Sequence, residues 1–151
     1  MGKATIQKEG DVELSNSERI GEIVSDYLER KHQQLKNDYR DPSGIHIEHC
    51  GLIGLDIAKL LLEKGYQPRI MEVKELVDNN FITLVPKPFE GRVKWAAHQV
   101  CCCEGLAFDP VIGKPVEIEK YTEEMFGKDI PMEERIPFER IEEFINRFKT
   151  P

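Results

Sequence analysis

Long hydrophobic runs are missing from this chain. Across its 151 residues, no apolar stretch approaches the ~18 consecutive residues that a membrane-spanning helix requires. The first residues also lack a secretory signal, because Met1, Gly2 and Lys3 lead directly into polar residues without an apolar core. The sequence therefore predicts a protein without a membrane span that works in the cytoplasm.

Positive charge is in the minority. The chain has 21 Lys and Arg residues against 28 Asp and Glu residues, which gives a net charge of -7 and a pI of about 5.2. An acidic surface repels the phosphate backbone, so we expect no nucleic-acid partner.

Cysteines are few and unsuited to a disulfide framework. Three of the four are consecutive, at Cys101, Cys102 and Cys103, and neighbouring residues on a strand point to opposite faces. Reduced thiols are the expectation, again in a cytoplasmic compartment. Because Cys101 and Cys103 would point away from His98, these cysteines are interpreted as small apolar strand residues rather than zinc ligands.

The remaining pattern indicates an α+β fold with helices at both ends. Ser15 and Glu18 form a capping box ahead of an amphipathic helix that reaches residue 36. Residues 50–64 are apolar on nearly every side, which predicts a central buried helix ended by Gly65. Strands are predicted at 69–73, 81–85, 93–103 and 106–111, followed by a helix over 137–149. Residues 1–14 are predicted to be a flexible leader, and residues 15–151 a single domain.

His98 and Asp109 are predicted to meet across a hairpin. Glu104-Gly105 reads as a two-residue turn, which pairs Cys103 with Leu106 and places Val100 opposite Asp109 and His98 opposite Val111. His98 and Asp109 then share one face as diagonal neighbours roughly 7–8 Å apart at the backbone. An imidazole and a carboxylate can close that gap to a hydrogen bond, which fixes the ring tautomer and stabilises the imidazolium.

Cys50 is the candidate nucleophile, because it lies where the apolar helix begins. The partial positive charge of a helix N-terminus favours the thiolate, and Gly51 permits close approach by a substrate. His46, His49 and Trp95 are candidates for lining the cleft. His46, His49 and Cys50 lack a second ligand pair at zinc-finger spacing, so no metal and no cofactor are predicted, although a zinc-dependent hydrolase is kept as an alternative.

Cys50-Gly51-x-x-x-Leu55, His98-x-Val100 and Asp109-Pro110-x-x-Gly113 together resemble the papain-like cysteine enzymes of bacteria. The resemblance covers about residues 44–116 and is closest to papain-fold toxin and effector domains and to the bacteriocin-processing peptidase domains of ABC exporters. It implies a papain-like fold, with the central helix packed on an antiparallel sheet and flanked by the N- and C-terminal helices. It also implies Cys50 as nucleophile, His98 as general base and acid, and Asp109 as orienting carboxylate.

The implied activity is that of a thiol protease or a protein-glutamine deamidase. Such an enzyme attacks an amide of a protein or peptide substrate and forms a thioester intermediate. The resemblance also implies a toxin or effector that is delivered into a host cytosol. Gly44 stands where such peptidases usually carry an oxyanion-hole glutamine, which favours deamidation or acyl transfer over plain proteolysis. Backbone N–H groups of Cys50 and Gly51, or His46, are the alternative donors.

Two other readings stay open. Arylamine N-acetyltransferases and transglutaminase-like proteins also have Cys, His and Asp in this order along the chain. The Arg-Gly-Gly segment that usually precedes the cysteine in the acetyltransferases is missing here. In many transglutaminase-like proteins an aromatic residue follows the histidine, whereas here that position is Gln99. A binding module of the same fold with an inert thiol is the non-enzymatic alternative.

Overall fold

The computed structural model describes residues 15–38, 49–89 and 94–149. Helix α1 spans Asn16–Asp38. The predicted capping box starts it, since the Ser15 backbone N–H donates to Glu18 Oε1 at 3.0 Å and the Glu18 N–H donates to Ser15 Oγ at 3.2 Å. The predicted leader, 1–14, lies outside the described residues.

Helix α2 spans His49–Glu63 and is followed by Gly65 in the left-handed conformation, with φ of 87°. The side chains of Ile57, Ala58 and Leu61, on the inner side of the helix, are buried. The expectation that α2 is buried on nearly every side is wrong, because Leu52 is 44% exposed. Because the apolar Leu52 lies on the exposed side of α2, the hydrophobic pattern overstates how much of the helix is buried.

A five-stranded antiparallel sheet forms the centre of the fold. Its strands are β1 (Arg69–Lys74), β4 (Ala97–Cys103), β5 (Leu106–Asp109), β6 (Lys114–Glu117) and β7 (Met132–Ile136). Their order in the sheet is β6-β5-β4-β1-β7. A separate two-stranded hairpin consists of β2 (Leu76–Val77) and β3 (Asn80–Phe81).

Several predicted boundaries differ from the observed ones. The strand expected at 81–85 is reduced to β3 and a single bridge between Leu84 and Trp95. Strand β4 begins at Ala97, and β5 ends at Asp109, two residues before its predicted end. Besides the two-residue strand β2, three further elements were not predicted: β6, β7 and the nine-residue helix α3 (Ile118–Phe126). Each is short and carries charged residues, so periodicity alone does not reveal it.

The helices cover both faces of the sheet, which confirms the α+β class. Helices α1, α2 and α4 (Phe138–Lys149) pack on one face, where their apolar side chains meet Ile70, Cys101 and Phe108. Helix α3 packs on the other face, where Tyr121 and Met125 join Val100, Cys102 and Ala107. Among the described helices, none is long and apolar enough to cross a membrane.

Candidate active site

Cys50 is the second residue of α2 and is half-buried. This position in the first turn exposes its sulfur to the partial positive charge of the helix N-terminus. The backbone N–H of Gln99, on the neighbouring strand β4, donates a hydrogen bond to the sulfur, and the His98 side chain forms a second one. The thiol therefore lies where α2 meets the beginning of β4.

The hairpin that carries His98 and Asp109 has the predicted turn. Glu104 and Gly105 both have positive φ, 53° and 79°, as a type I′ turn requires. The predicted pairing of Cys103 with Leu106 is confirmed, and the ladder continues only as far as Cys101 with Phe108.

The predicted extension of that ladder is wrong: Val100 does not pair with Asp109, nor His98 with Val111. Strand β5 turns away at Asp109, whose carbonyl accepts the N–H groups of Ile112 at 3.0 Å and Gly113 at 2.9 Å. The first residues of β4 consequently have no partner in β5. This divergence leaves the space in which the Cys50 sulfur reaches the His98 ring.

His98 and Asp109 nevertheless form the predicted hydrogen bond. His98 Nε2–H donates to Asp109 Oδ2 at 2.6 Å, and the two residues are only 4% and 3% exposed. Asp109 Oδ2 also accepts the Tyr121 hydroxyl, and Oδ1 accepts the Val111 N–H at 2.9 Å. Three donors fix the carboxylate, so the imidazole is held with its other nitrogen, Nδ1, free for the thiol.

The pKa values of the pair move in opposite directions. Burial by itself raises the pKa of the Cys50 thiol, but the hydrogen bond and the charge of His98 outweigh it and lower that pKa below its ordinary value. Burial by itself lowers the pKa of His98, but the charge and hydrogen bond of Asp109, helped by Cys50, raise it to about 10. Near neutral pH this arrangement favours a thiolate beside an imidazolium.

Aromatic rings fix the plane of the imidazole. The Trp95 ring is stacked on His98 with centroids 4.2 Å apart and an angle of 6° between the planes. Phe126 meets both rings edge-on, at 6.2 Å from Trp95 and 6.4 Å from His98. Trp95 is itself 4% exposed. It therefore backs the histidine from the core instead of forming an open cleft wall.

Two residues of the site were not predicted as members of it. Tyr121 lies on α3, a helix that the sequence analysis does not predict. A single tyrosine in a sequence does not indicate which residue its hydroxyl will contact. Gln99 is marked in the sequence only by its position after His98. Its carboxamide lies against the first turn of α2, since a Cβ at Gly51 would be 3.1 Å from Gln99 Oε1. Alternation along β4 could have found Gln99, because it must face the helix if His98 faces the opposite layer.

The other predicted positions are placed as follows. Gly51 follows Cys50 in the first turn of α2, and His49 begins that helix; His46 and Gly44 lie outside the described residues. Cys101 and Cys103 belong to the layer under α1, α2 and α4, on the opposite face from Cys102. Within residues 15–38, 49–89 and 94–149, no three His, Cys, Asp or Glu side chains are grouped so that they could hold a metal ion.

Comparison with known proteins finds no match for this chain among protein-family models, curated proteins or solved structures. The geometry of the site therefore has to carry any statement about function.

Proposed function

We propose that this protein is a cysteine-dependent acyl-transfer enzyme of papain-like design, with Cys50 as nucleophile, His98 as general base and acid, and Asp109 as orienting carboxylate. The observation that carries the proposal is the continuous hydrogen-bonded series from the Cys50 sulfur through the imidazole to Asp109. A nucleophile, a base and an orienter in contact are what the chemistry needs.

The reaction follows from these contacts. The thiolate attacks the carbonyl carbon of an amide, and the N–H groups at the start of α2 are the candidates for stabilising the oxyanion. His98 then gives its proton to the leaving nitrogen, the C–N bond breaks, and a thioester remains on Cys50. Water, activated by the now neutral imidazole, attacks the thioester and releases a carboxylic acid and the thiolate. Asp109 holds the ring in place throughout.

The substrate class is proposed as an amide of a protein or peptide. A main-chain amide would make the protein a protease, and a glutamine side-chain amide would make it a deamidase. Transfer of the acyl group to an amine instead of water would make it an acyltransferase. A toxin or effector acting in a host cytosol is the biological setting that the resemblance of Cys50, His98 and Asp109 to bacterial papain-like enzymes implies.

Alkylation kinetics test the proposal directly. Iodoacetamide should modify Cys50 with a rate that rises at a pH below the ordinary thiol value, because the pKa of Cys50 is lowered, and His98→Gln should move that midpoint upward. The products of candidate peptides, analysed by intact mass, then separate hydrolysis, deamidation and acyl transfer.

Cys102→Ser is the matched control. Burial raises the pKa of the Cys102 thiol to about 12, so this variant should keep the alkylation profile and turnover, whereas Cys50→Ala should lose both. A Cys50 that reacts no faster than an ordinary thiol would identify an inert thiol and a binding module instead.

A further inference from the structure

Among the described residues, the space beside the candidate catalytic groups is small. The space lined by Cys50, Trp95, His98, Asp109 and their neighbours has a volume of about 20 Å³, which is room for a single water molecule. A substrate chain that reaches the sulfur therefore needs a larger surface nearby, and the outer side of α2 offers one.

A groove with a volume of about 340 Å³ lies on that side, within the range of pockets that hold small ligands. Gln99 lines both this groove and the small space beside the thiol, and Gly51, next to Cys50, lines the groove as well. Apart from Arg135, the rest of its wall is apolar and comes from α2, β7 and α4: Leu52, Leu55, Ile136 and Phe144. The exposed Leu52 is thus one wall of a depression that lies next to the candidate nucleophile.

One cation lies at the groove, and a β-bulge places it there. Met71 pairs with Glu134 and Ile70 with Ile136, so Arg135 is an extra residue of β7 without a partner on β1. Bulges redirect side chains and are common beside active sites. Arg135 is exposed and, among the residues that the structure describes, its side chain forms neither an ion pair nor a hydrogen bond.

The neighbouring arginines differ from Arg135 in this respect. The guanidinium groups of Arg140 and Arg147 lie over the Phe144 ring, at 5.0 and 4.7 Å from its centroid. Both also bind Glu143 Oε2, at 3.0 and 2.8 Å. Both arginines thus share one carboxylate and hold Phe144 in the groove wall, whereas Arg135 has no such partner among the described residues.

We propose that this groove selects the substrate: it binds an apolar side chain next to the attacked amide and, through Arg135, an acidic residue beside that side chain. The proposal rests on the proposed function of Cys50. On a protein with a net charge of -7, an acidic ligand is repelled in general, so a site for one needs a local cation. The preferred substrate segment is therefore Leu, Met or Phe adjacent to Asp or Glu.

Four chloroacetyl dipeptide amides test this without a known substrate: Leu-Glu, Ala-Glu, Leu-Gln and Ala-Gln. In each, the Cys50 sulfur attacks the chloroacetyl CH₂, the S–C bond forms and chloride leaves. The second-order rate of labelling is followed by intact mass. Leu reagents should label Cys50 about tenfold faster than Ala reagents, and Glu reagents about threefold faster than Gln reagents at low salt.

Variants assign the two preferences to the groove. Arg135→Gln should remove the preference for Glu and keep that for Leu, whereas Leu52→Gln should reduce the preference for Leu and Leu52→Met should restore it. Arg30→Gln is the matched control, since Arg30 is an exposed arginine on α1 that pairs with Asp26 at 2.9 Å; it should keep both preferences. Iodoacetamide, which is too small to engage the groove, should react equally with all these variants.

Failure of the groove and failure of the function give different results. Equal labelling by all four reagents, with normal iodoacetamide reactivity, would overturn the groove and leave the nucleophile in place. If Cys50 reacted with no reagent, the proposed function would fall, and binding of acetyl-Leu-Glu-amide and acetyl-Ala-Gln-amide would be compared by NMR. Selective binding of the first near Leu52 and Arg135 would still support the groove, and its absence would overturn it.

Discussion

The Asp109 carboxylate receives hydrogen bonds from the His98 ring, the Tyr121 hydroxyl and the Val111 N–H. Each of these contacts holds the carboxylate in one orientation. Because the carboxylate is buried, its charge acts on His98 with little screening by water. At the scale of single residues, the Asp109 carboxylate therefore stabilises the His98 imidazolium, which in turn stabilises the Cys50 thiolate.

Asp109→Asn should slow turnover by about 10 to 10⁴-fold, by analogy with orienting carboxylates in other triads. The amide keeps the shape but loses the charge, so the pKa of His98 should fall and that of Cys50 should rise. Cys50 should remain alkylatable at higher pH, because Asp109 takes no part in the attack. Full activity of this variant across the pH range, measured with a substrate found by intact mass, would contradict the role assigned to Asp109.

Tyr121→Phe isolates one contact of the carboxylate. Removing a buried hydroxyl that donates to a charged group should lower the free energy of unfolding by about 1.5–3 kcal/mol, measured by urea denaturation. It should also move the pH midpoint of Cys50 alkylation, because Asp109 is held less firmly.

Tyr27→Phe provides the control for this substitution. Its hydroxyl donates to Asp56 Oδ2 at 3.1 Å at a more exposed site between α1 and α2. The loss there should be about 1 kcal/mol or less, with an unchanged alkylation profile. Equal effects of the two variants would mean that Tyr121 has no positioning role.

At the scale of elements, the turn after β5 connects the site to α1. His32 Nδ1–H, on α1, donates to the Pro110 carbonyl at 2.7 Å. Gly113 closes the turn with φ of 90°, and a Cβ there would lie 2.9 Å from His32 Cγ. The turn that directs Asp109 towards His98 thus depends on a glycine that both the backbone conformation and the neighbouring ring require.

Gly113→Ala and Gly105→Ala form a matched pair. Both residues have positive φ, 90° and 79°, so alanine should cost roughly 1–2 kcal/mol of stability at each position. A Cβ at Gly105 meets nothing within 4 Å, so Gly105→Ala should leave Cys50 alkylation unchanged. Gly113→Ala should cost more in urea denaturation and slow alkylation, because displacing His32 disturbs the turn at Asp109. Identical behaviour of the two variants would show that the site does not depend on this turn.

At the scale of the whole molecule, the candidate site joins the two layers of the core. Cys50 comes from the layer of α1, α2 and α4, whereas His98 lies on the opposite face with Trp95 and Phe126. The layers meet where β5 leaves β4. Formation of the thiolate–imidazolium pair therefore requires the complete fold, and its protonation is linked to stability.

This linkage can be measured in Cys50→Ala, where the Cys50 thiol no longer titrates and Asp109 remains as the group that raises the pKa of His98. The pKa of His98 is raised in the folded state from an ordinary 6.5, so its stabilising contribution is full below about 6.5. This contribution should be lost as the pH rises towards the pKa that His98 has in the folded protein. Over that range the unfolded protein releases the proton while the folded protein keeps it. The difference in unfolding free energy between Cys50→Ala and Cys50→Ala/His98→Gln should shrink over that range, and a constant difference would contradict the raised pKa.

The sequence by itself determined the features that depend on local chemistry. The capping box at Ser15 and the apolar periodicity predicted α1, α2 and α4 to within two residues at the described ends, because such signals act within one or two turns. The Glu104-Gly105 turn predicted the hairpin pairing for the same reason. That pairing, together with the period of two along a strand, placed His98 and Asp109 on one face.

Only the tertiary structure decided how far the ladder runs and what surrounds the three residues. The divergence of β5 at Asp109, the hydroxyl of Tyr121 and the stacking of Trp95 on His98 all depend on elements distant in sequence. The bulge at Arg135 depends on the pairing of β7 with β1. Contacts of this kind arise from packing between layers, and no local pattern encodes which distant residue will fill a given space.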